Sequence, residues 1–373
     1  MEGIKVSTDV LNHLTDHYMD GLTDLEQKLF KWVNNPRSPI QVKEALRQMG
    51  VKTASTDEDH LHAIRDKIPV KHSKHDEILD FVTYMLLYRR EQKLYGTYVK
   101  GIRKRLWKGR VYPTFLLHGT TTGRLACRNP NLQNVPRESS IRRMFVPEEG
   151  NVFIQADYSS VELRVIATLA RDEVLRTLFV EGRDIHNEVA TRFFGPDFTK
   201  DQRVRAKAVV YGLSYGREAY SLAQEYKLSV NEARKYLDTF FQMIPATAKW
   251  RESVKHQILR EQKDLITPFG RHRRFWLITE DNKKDVVKEG LAFQPQSIAS
   301  DICLNAAIRL RRDHGLHVRI PVHDSLLVEC PADDQHDVAR LMAEVMSSTG
   351  AEVYDDFVPF PVEVAIGASW GEV

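Results

Sequence analysis

Strand character begins in the stretch Val152-Phe153-Ile154-Gln155-Ala156-Asp157, in which apolar residues lead up to a carboxylate. It returns in residues 317–330, and a last strand is predicted at 361–366. The block between the first two strand regions, about 164–316, has a mostly helical pattern, as do the first hundred residues. The sequence therefore predicts an α+β fold, in which a large helical insertion interrupts a small antiparallel sheet and a helical module precedes it.

Helix boundaries are readable in the first hundred residues. Ser38, followed by Pro39 and Gln41, is typical of a helix start with a capping box, in which the Ser and Gln side chains each bond a backbone amide of the other residue. Gly50 is typical of a helix end. A long helix is predicted over about 75–96, because its apolar residues recur at helical spacing.

Composition bounds the class of protein. A chain of 373 residues, 42% hydrophobic and 28% charged, is typical of a globular protein with two or more subdomains. The net charge of +3 barely favours a nucleic-acid partner. Lys and Arg are nevertheless concentrated in residues 100–110, which contain no acid, and in Arg271-His272-Arg273-Arg274. Such runs suit a phosphate backbone, and a solvated helix face or loop fits each of them equally well.

The positions of the cysteines and the hydropathy of the chain indicate the cellular compartment. Cys127, Cys303 and Cys330 lie far apart without metal-ligand spacing, which indicates inert thiols in a reduced compartment such as the cytoplasm. No signal-peptide pattern is present at the N-terminus, and no apolar stretch approaches the roughly 20 residues needed to cross a bilayer. We therefore expect a soluble intracellular protein.

Two carboxylates lie in the predicted sheet. Asp157 ends one strand and Asp324 lies within the strand pair, each beside a residue able to position a substrate, Tyr158 and His323. Phosphoryl transfer by two metal ions needs hard oxygen ligands from different chain segments, which hold Mg²⁺ ions about 4 Å apart. Asp is also frequent at strand ends and turns for structural reasons, so the spacing alone does not decide the role of this pair.

A basic helix is predicted around residues 201–212. Arg203, Lys207 and Tyr211 fall at i, i+4 and i+8 on one helical face, each step advancing about 6 Å. Two cations followed by a ring match a triphosphate followed by a base, since the cations neutralise phosphate oxygens and the ring packs against the nucleoside. An exposed basic helix with a partly buried tyrosine fits the same pattern.

A polar segment follows residue 120. It contains Thr121-Thr122-Gly123-Arg124-Leu125 and then residues 129–136, which are rich in Asn, Gln and Pro. Such composition predicts an irregular loop. Its side chains are able to hydrogen-bond base edges or sugars, and a plain surface loop is the alternative.

These segments, in this order, resemble the signature motifs of DNA polymerase family A, the polymerase-I-like enzymes. Residues 157–164 resemble the first palm motif, residues 203–212 with Tyr215-Gly216 the fingers helix, and Pro321-Val322-His323-Asp324-Ser325 the second palm motif. Supporting matches are Thr122-Gly123-Arg124, the run from Asn131 to Pro136, Gly182-Arg183-Asp184-Ile185-His186, and Gln296 with Asp301. The resemblance is strong over about 80–373 and weaker before that.

The resemblance implies a right-hand polymerase with an antiparallel-sheet palm, helical fingers and a helical thumb. The N-terminal segment and thumb would be 1–95, the palm 96–163 and 317–373, and the fingers 164–316. Such an enzyme adds deoxynucleotides to a primer 3′-hydroxyl by two-metal-ion phosphoryl transfer and releases pyrophosphate. The expected partners are primer–template DNA and dNTPs, with no membrane and a monomeric state. Proofreading and 5′ nuclease domains are expected to be absent.

The resemblance also assigns roles at the reacting centre. Asp157, Asp324 and the backbone carbonyl of Tyr158 would bind the two Mg²⁺ ions. Three further side chains, Arg203, Lys207 and His186, would hold the triphosphate as the fingers close. Glu162 resembles the steric gate that excludes a ribose 2′-hydroxyl. Tyr211 stands where family members carry Phe or Tyr, and the Tyr form implies easier acceptance of dideoxynucleotides.

Further roles concern the primer–template. Arg124 and Gln296 resemble side chains that contact minor-groove acceptors at the primer terminus, which are common to every Watson–Crick pair. Tyr215 would stack where the template base waits before insertion. The remaining predicted contacts come from the second palm motif and the polar segment: His323, Asn131 and Asn134.

Two positions depart from the family pattern. The second palm motif usually continues with Glu after His-Asp, and Ser325 stands there instead, which puts a third carboxylate in doubt. Val210 replaces a commonly polar residue, and the sequence offers no account of it. Two other functions remain open: a single-subunit RNA polymerase, against which Glu162 argues, and a catalytically silent relative that only binds primer–template. Reverse transcription is an open side activity.

Overall fold

The computed structural model describes residues 2–137, 140–214, 216, 218–226, 228–261 and 263–373. The chain forms two compact units. The first, called the helical unit, comprises Met1–Pro113, Asn129–Pro147 and Ser369–Glu372. The second, called the sheet unit, comprises Thr114–Arg128, Glu148–Ala368 and Val373.

The helical unit consists mainly of helices that bury one apolar cluster. Its elements are β1 (Ile4–Lys5), α1 (Thr8–Leu29), α2 (Pro39–Gln48), α3 (Glu58–Lys67), α4 (His75–Lys93), a π-helical segment (Leu94–Val99), α5 (Lys100–Arg103), β2 (Arg110–Val111), and 3-10 turns at Leu132–Asn134 and Ser140–Met144. Helices α1 and α4 pack together through fully buried side chains such as Leu29, Phe81 and Met85. The helical spacing predicted for the first hundred residues is confirmed.

The helix start predicted at Ser38 is confirmed, since Ser38 is the N-cap of α2, but the predicted capping box and the predicted end of the long helix are corrected. Ser38 Oγ does accept a hydrogen bond from the Gln41 amide at 3.4 Å, but Gln41 Oε1 accepts from the Asn35 amide at 2.9 Å instead of from Ser38. The predicted capping box is therefore only half formed, because the turn before α2 brings Asn35 within reach of the Gln41 side chain. Helix α4 leaves α geometry after Lys93 and continues through Gly96 as the π-helical segment.

The sheet unit alternates strands with a long helical block. Its elements are β3 (Thr114–Leu116), β4 (Ala126–Arg128), β5 (Asn151–Tyr158), α6 (Val161–Ala170), α7 (Glu173–Val180), α8 (Ile185–Phe194), α9 (Lys200–Ser214), α10 (Ala219–Tyr226), α11 (Val230–Met243), α12 (Pro245–Leu259), β6 (Leu265–Ile266), β7 (His272–Arg273), α13 (Lys283–His314), β8 (Val318–Val322), β9 (Ser325–Pro331), a 3-10 turn (Ala332–Asp334), α14 (Gln335–Glu352) and β10 (Val362–Gly367).

The four-stranded sheet has the order β10-β5-β9-β8 with antiparallel neighbours. One of its two central strands, β5, contains the apolar stretch 152–157 that predicts a strand. The helical block lies between β5 and β8 in the chain. Helices α6, α13 and α14 pack with the sheet into one apolar cluster. The predicted α+β fold with an interrupted antiparallel sheet is confirmed.

Other expectations have mixed outcomes. Residues 121–125 of the predicted irregular loop form neither helix nor strand, whereas 132–134 of its second run form a 3-10 turn; the strand β4 lies between the two runs and pairs with β3. The side chains of Cys127, Cys303 and Cys330 are buried, as expected. None of the helices in the described part of the chain is both long enough and apolar enough to cross a bilayer. The assignment of thumb, palm and fingers to stretches of the chain stays a prediction.

Candidate active site

Backbone pairing brings the two predicted catalytic carboxylates to neighbouring positions of the sheet. Asp157 lies opposite Ser325 in the ladder between β5 and β9. One step along, the amide of Tyr158 donates to the carbonyl of Asp324 at 3.2 Å. Because directly paired residues in an antiparallel ladder project from the same face, the register fixes Asp157 beside the turn that carries Asp324.

The turn between β8 and β9 presents Asp324. His323 adopts the left-handed region at φ +53°, which closes the strands with only two residues between them. Ser325 is buried, and its hydroxyl donates to the carbonyl of Val322 at 2.9 Å. The residue that replaces the expected Glu therefore serves the turn and supplies no third carboxylate.

Charge at this edge is partly balanced by one arginine. Arg124 donates from Nη2 to Glu162 Oε1, and the same nitrogen lies 4.0 Å from Asp324 Oδ1. Burial raises the pKa of Asp324 above its ordinary value, although Arg124 and His323 oppose the shift. Burial likewise raises the pKa of Glu162, with Asp324 adding to the shift and Arg124 opposing it. The negative charges are desolvated and close together, so a cation near them is favoured.

Both aspartates lie near the buried thiol of Cys303. Burial raises the pKa of Cys303 strongly, and the negative charges of Asp324 and Asp157 raise it further. Since such effects require proximity, both carboxylates lie within electrostatic range of one sulfur atom on α13.

The side chain of Tyr158 points away from this edge. Its ring is buried and its hydroxyl donates to the carbonyl of Met346 at 2.6 Å, so burial raises its pKa. The phenol is thus part of the packing against α14 and is not available to a nucleotide. The predicted role of its backbone carbonyl does not depend on the side chain.

The donors at the sheet edge suit a magnesium ion chemically. Asp157, Asp324 and the carbonyl of Tyr158 are hard oxygen donors from two chain segments, the set that Mg²⁺ prefers. Within the described ranges, no group of three or more His, Cys, Asp or Glu side chains is arranged to hold a metal ion. The fit therefore rests on two carboxylates and a carbonyl, consistent with Ser325 at the position of the usual Glu.

One cavity of about 450 Å³ in the sheet unit joins this edge to the helical block. It is lined by Arg124, Asp157, Tyr158, Ser160, Val161, Glu162, Leu163, His186, Val210, Tyr211, His323 and Asp324. Residues predicted for the metal and the sugar therefore share one space with His186 and Tyr211, whereas Arg203 and Lys207 do not line it. The departure Val210 is buried in its wall, where an apolar side chain packs without an unsatisfied polar group.

Helix α9 carries the predicted basic face. It begins at a reciprocal cap, because Thr199 and Gln202 each accept the other's amide, at 2.7 and 3.2 Å. Lys207 Nζ lies 5.5 Å from the centre of the Tyr211 ring, and both side chains are exposed. The expected order of cation, cation and ring along one face is thus present.

His186 on α8 faces this helix. Its ring centroid lies 5.7 Å from that of Tyr211. Burial, with the positive charges of Lys207 and Arg203, holds the pKa of His186 below its ordinary value, although Asp184 opposes the shift. The imidazole is therefore neutral near pH 7, and since Nδ1 lies 3.2 Å from Asp184 Oδ1, its one N–H donates to that carboxylate.

Sequence reasoning missed two side chains that hold Arg203. Arg203 Nη2 donates to Asp184 Oδ2 at 2.5 Å, and Nε donates to Asn187 Oδ1 at 2.6 Å. Asp184 belongs to the run Gly182-Arg183-Asp184-Ile185-His186, which resembles a family motif. Its place directly before the apolar Ile185 is typical of an N-cap and was a usable signal, whereas nothing in the sequence pairs it with a residue 19 positions later.

A second missed contact supports the loop of Arg124. Gly123 has φ +78°, and a Cβ atom there would lie 2.2 Å from Cζ of Arg271. Arg271 in turn pairs with Asp301 on α13 at 2.9 Å. The glycine therefore allows the guanidinium of Arg271 to pack directly beneath the loop.

The basic runs found in the sequence are largely paired within the molecule. Arg273 binds Glu289 at 2.5 Å, and Arg274 binds Asp264 at 2.7 Å. Arg103, from the first run, donates to Asn12 Oδ1 at 2.8 Å. These contacts within the molecule explain the positions of the three arginines without a phosphate backbone.

Some predicted contacts are not brought to the cavity. Gln296 is half-buried on α13 and does not line the cavity. His323, in contrast, does line the cavity. Asn131 and Asn134 belong to the helical unit, where the carbonyl of Asn134 accepts a hydrogen bond from the Tyr98 hydroxyl. Tyr215 lies outside the described residues.

Comparison with known proteins decides the family. The model of DNA polymerase family A matches residues 8–372. The chain belongs to DNA polymerase family A. The resemblance carried by the palm and fingers motifs is therefore confirmed.

Individual relatives of this family A chain are polymerase-I proteins. DNA polymerase I of Chloroflexus aurantiacus is 31% identical over 405 residues, which cover 100% of this chain and 41% of that protein. Thermostable DNA polymerase I of Thermus aquaticus is 33% identical over 397 residues, covering 99% and 46%. The chain thus spans less than half the length of these curated relatives.

A solved structure confirms the polymerase fold of this family A chain. The POL domain of Pol1 from M. smegmatis, in complex with DNA primer-template and dNTP, superposes with a TM-score of 0.87 at 30% identity. The match covers 99% of this chain and 68% of that one.

Proposed function

We propose that this chain is a template-directed DNA polymerase that adds deoxynucleotides to a primer 3′-hydroxyl and releases pyrophosphate. The observation that carries the proposal is that Asp157 and Asp324 line one cavity together with Glu162, His186 and Tyr211. Carboxylates for metal ions and groups for a nucleotide are both needed there. The neighbour solved with primer-template and dNTP supports the same assignment.

The residues divide the work between the metal and the nucleotide. Asp157, Asp324 and the carbonyl of Tyr158 would hold two Mg²⁺ ions, which lower the pKa of the attacking hydroxyl and neutralise the leaving pyrophosphate. Arg203 and Lys207 would bind triphosphate oxygens by charge-assisted hydrogen bonds. His186 would donate from Nε2 to a triphosphate oxygen when its ring is protonated, because the one N–H of the neutral ring faces Asp184.

The sugar and the primer terminus are assigned to Glu162 and Arg124, which lie beside Asp324. Glu162 would exclude a ribose 2′-hydroxyl and so select deoxynucleotides. Arg124 is bonded to Glu162 in this structure, so its donors must be shared or released when it reaches the minor groove of the primer. Tyr211 would pack on the nucleoside, and we expect ready incorporation of dideoxynucleotides. The primer–template roles of Gln296, His323, Asn131, Asn134 and Tyr215 remain part of the proposal.

Primer extension tests the proposal directly. A labelled primer is extended on DNA and on RNA templates with dNTPs or NTPs, with Mg²⁺ supplied or withheld, while primer–template binding is measured by fluorescence anisotropy. We expect Mg²⁺-dependent extension with dNTPs on DNA. Extension with NTPs alone would identify an RNA polymerase, and tight binding without synthesis in any arm would identify a silent binder; either result contradicts the proposal. Synthesis on RNA would add reverse transcription.

A further inference from the structure

The guanidinium of Arg203 is held along one edge by the first turn of α8. Nη2 donates to Asp184 Oδ2 at 2.5 Å and Nε donates to Asn187 Oδ1 at 2.6 Å. These two nitrogens form the side edge of the planar fork. Arg203 is about 39% exposed, so solvent reaches the group although two of its donors are fixed.

Asp184 is itself fixed by the helix that it starts. Its Oδ1 accepts the amides of His186 and Asn187 at 2.7 and 3.3 Å and lies 3.2 Å from Nδ1 of the His186 ring, while Oδ2 accepts from Arg203. Burial acts to raise the pKa of Asp184, but the hydrogen bonds from Arg203 and the two amides outweigh it and hold the pKa below its ordinary value. The carboxylate is therefore ionised at pH 7 and has little freedom to rotate.

The geometry leaves the other edge of the fork for a ligand. A guanidinium has five N–H donors, and Nη1 is given no acceptor by the part of the chain that the structure describes. Helices α8 and α9 pack against each other, so Asp184 and Arg203 belong to one packed pair of helices. Because Asp184 bonds the side edge, a phosphate is able to bind the Nη1–Nη2 edge while the ion pair remains.

We propose that Asp184 and Asn187 are positioning residues for the incoming nucleotide, which orient Arg203 so that its Nη1 edge meets the triphosphate. This inference rests on the proposed function, since it takes a dNTP as the ligand. The alternative is that Asp184 competes with the phosphate for Arg203. Asp184 would then weaken nucleotide binding, and its removal would strengthen nucleotide binding.

Asp184→Asn separates the two uses of this residue. The amide oxygen still caps α8, but an NH₂ group replaces the acceptor that faced Arg203. The dNTP dissociation constant is measured on primer–template ended with a dideoxynucleotide, so that no chemistry occurs. We expect it to rise about tenfold, with the primer–template dissociation constant and the thermal midpoint unchanged. Asn187→Ala should raise it by a smaller factor.

Glu181→Gln is the matched control. Glu181 is exposed, lies three residues before Asp184 and binds Arg183 at 3.2 Å, so this change removes an equal charge from the same turn without touching Arg203. We expect less than a twofold change in dNTP affinity. An equal rise in both variants would mean that general electrostatics causes the effect and would overturn the inference.

A double-mutant cycle tests whether Asp184 acts through Arg203. Lysine lacks the fork, so adding Asp184→Asn to Arg203→Lys should change dNTP affinity by less than twofold. Persistence of the full effect in that background, unchanged affinity in Asp184→Asn alone, or tighter binding would each overturn the inference. A different result would contradict the proposed function: the unmodified chain would bind dNTP in the ternary complex but would not extend an unblocked primer.

Discussion

The sheet edge bearing Asp157 and Asp324 and the helix face bearing Arg203, Lys207 and Tyr211 are built by different forces. At the sheet edge, backbone hydrogen bonds set the positions: the ladder fixes Asp157, and the Tyr158 amide binds the carbonyl of Asp324. On α9 the backbone supplies only a spacing, and neighbouring side chains aim the cations. The groups proposed for the metal are thus placed by the main chain, and those proposed for the substrate by side-chain contacts.

The difference suits the two tasks. Metal ligands need fixed distances, and a strand ladder tolerates little displacement because moving one residue breaks several hydrogen bonds. A nucleotide enters and leaves in every cycle, so its partners must exchange contacts with solvent and with each other. We therefore expect substitutions at the sheet edge to act on the rate of chemistry, and those on α9 to act on nucleotide affinity.

Asp157→Asn should give the largest effect. The change keeps the shape of the side chain but removes a metal ligand, so kcat should fall by roughly three orders of magnitude or more. Primer–template affinity, measured by anisotropy, should stay within about threefold, because phosphate-backbone contacts are untouched.

Glu363→Gln provides the control for Asp157→Asn. Glu363 lies opposite Asp157 on the other neighbouring strand and accepts from the Ser159 hydroxyl at 2.8 Å. Removing its charge should lower kcat by less than about tenfold, since it does not line the cavity. Near-normal synthesis by Asp157→Asn, or an equal loss in Glu363→Gln, contradicts the assigned role of Asp157.

Lys207→Ala should act on the substrate rather than on the chemistry. Loss of one charge-assisted phosphate contact should raise the KM for dNTP by roughly 10- to 100-fold and lower kcat much less. Lys200→Ala removes the same charge from the exposed start of α9, about 10 Å away along the axis, and should leave KM within twofold. A loss confined to kcat would break the proposed contrast between the two regions.

The sequence predicted the sheet edge better than the helix face. Apolar runs ending at Asp157 and around Asp324 indicated strands, and strand pairing then left few ways to arrange them. The spacing of Arg203 and Lys207 followed from helical periodicity alone. The hydrogen bond from Arg203 to Asp184 did not, because a contact across 19 residues depends on how α8 packs against α9.

Side-chain direction was the other unpredictable feature. Tyr158 stands beside a predicted metal ligand, yet it alternates to the opposite face of β5 and its hydroxyl reaches α14. The half-formed capping box before α2 has the same origin, since the Ser38 amide donates to the carbonyl of Asn35 and Gln41 Oε1 accepts from the Asn35 amide instead. Motifs predicted which backbone positions matter, while packing decided what each side chain touches.

Gly123→Ala should affect both stability and synthesis, at an intermediate level. An alanine at φ +78° is strained, and its Cβ would meet the guanidinium of Arg271, so we expect a loss of about 2–3 kcal/mol in unfolding free energy. Because Arg124 directly follows Gly123, the change should also displace Arg124 and so lower kcat/KM. Gly150→Ala shares a positive φ, +81°, but has open space around it and should cost only about 1 kcal/mol without loss of activity. Equal urea midpoints for the two variants would refute the contact with Arg271.

Tyr158→Phe should have the smallest effect and tests whether only the backbone of this residue matters to the site. The change removes the hydrogen bond to Met346 and keeps the carbonyl, so the unfolding free energy should fall by about 1 kcal/mol while kcat and the KM for dNTP stay unchanged. Tyr354→Phe is its counterpart, because that buried hydroxyl has no hydrogen-bond partner in the described part of the chain, and removing it should be neutral or stabilising. A substantial rise in KM for Tyr158→Phe would place the phenol at the nucleotide after all, and the separation between main-chain and side-chain positioning would then fail at the residue where the two regions meet.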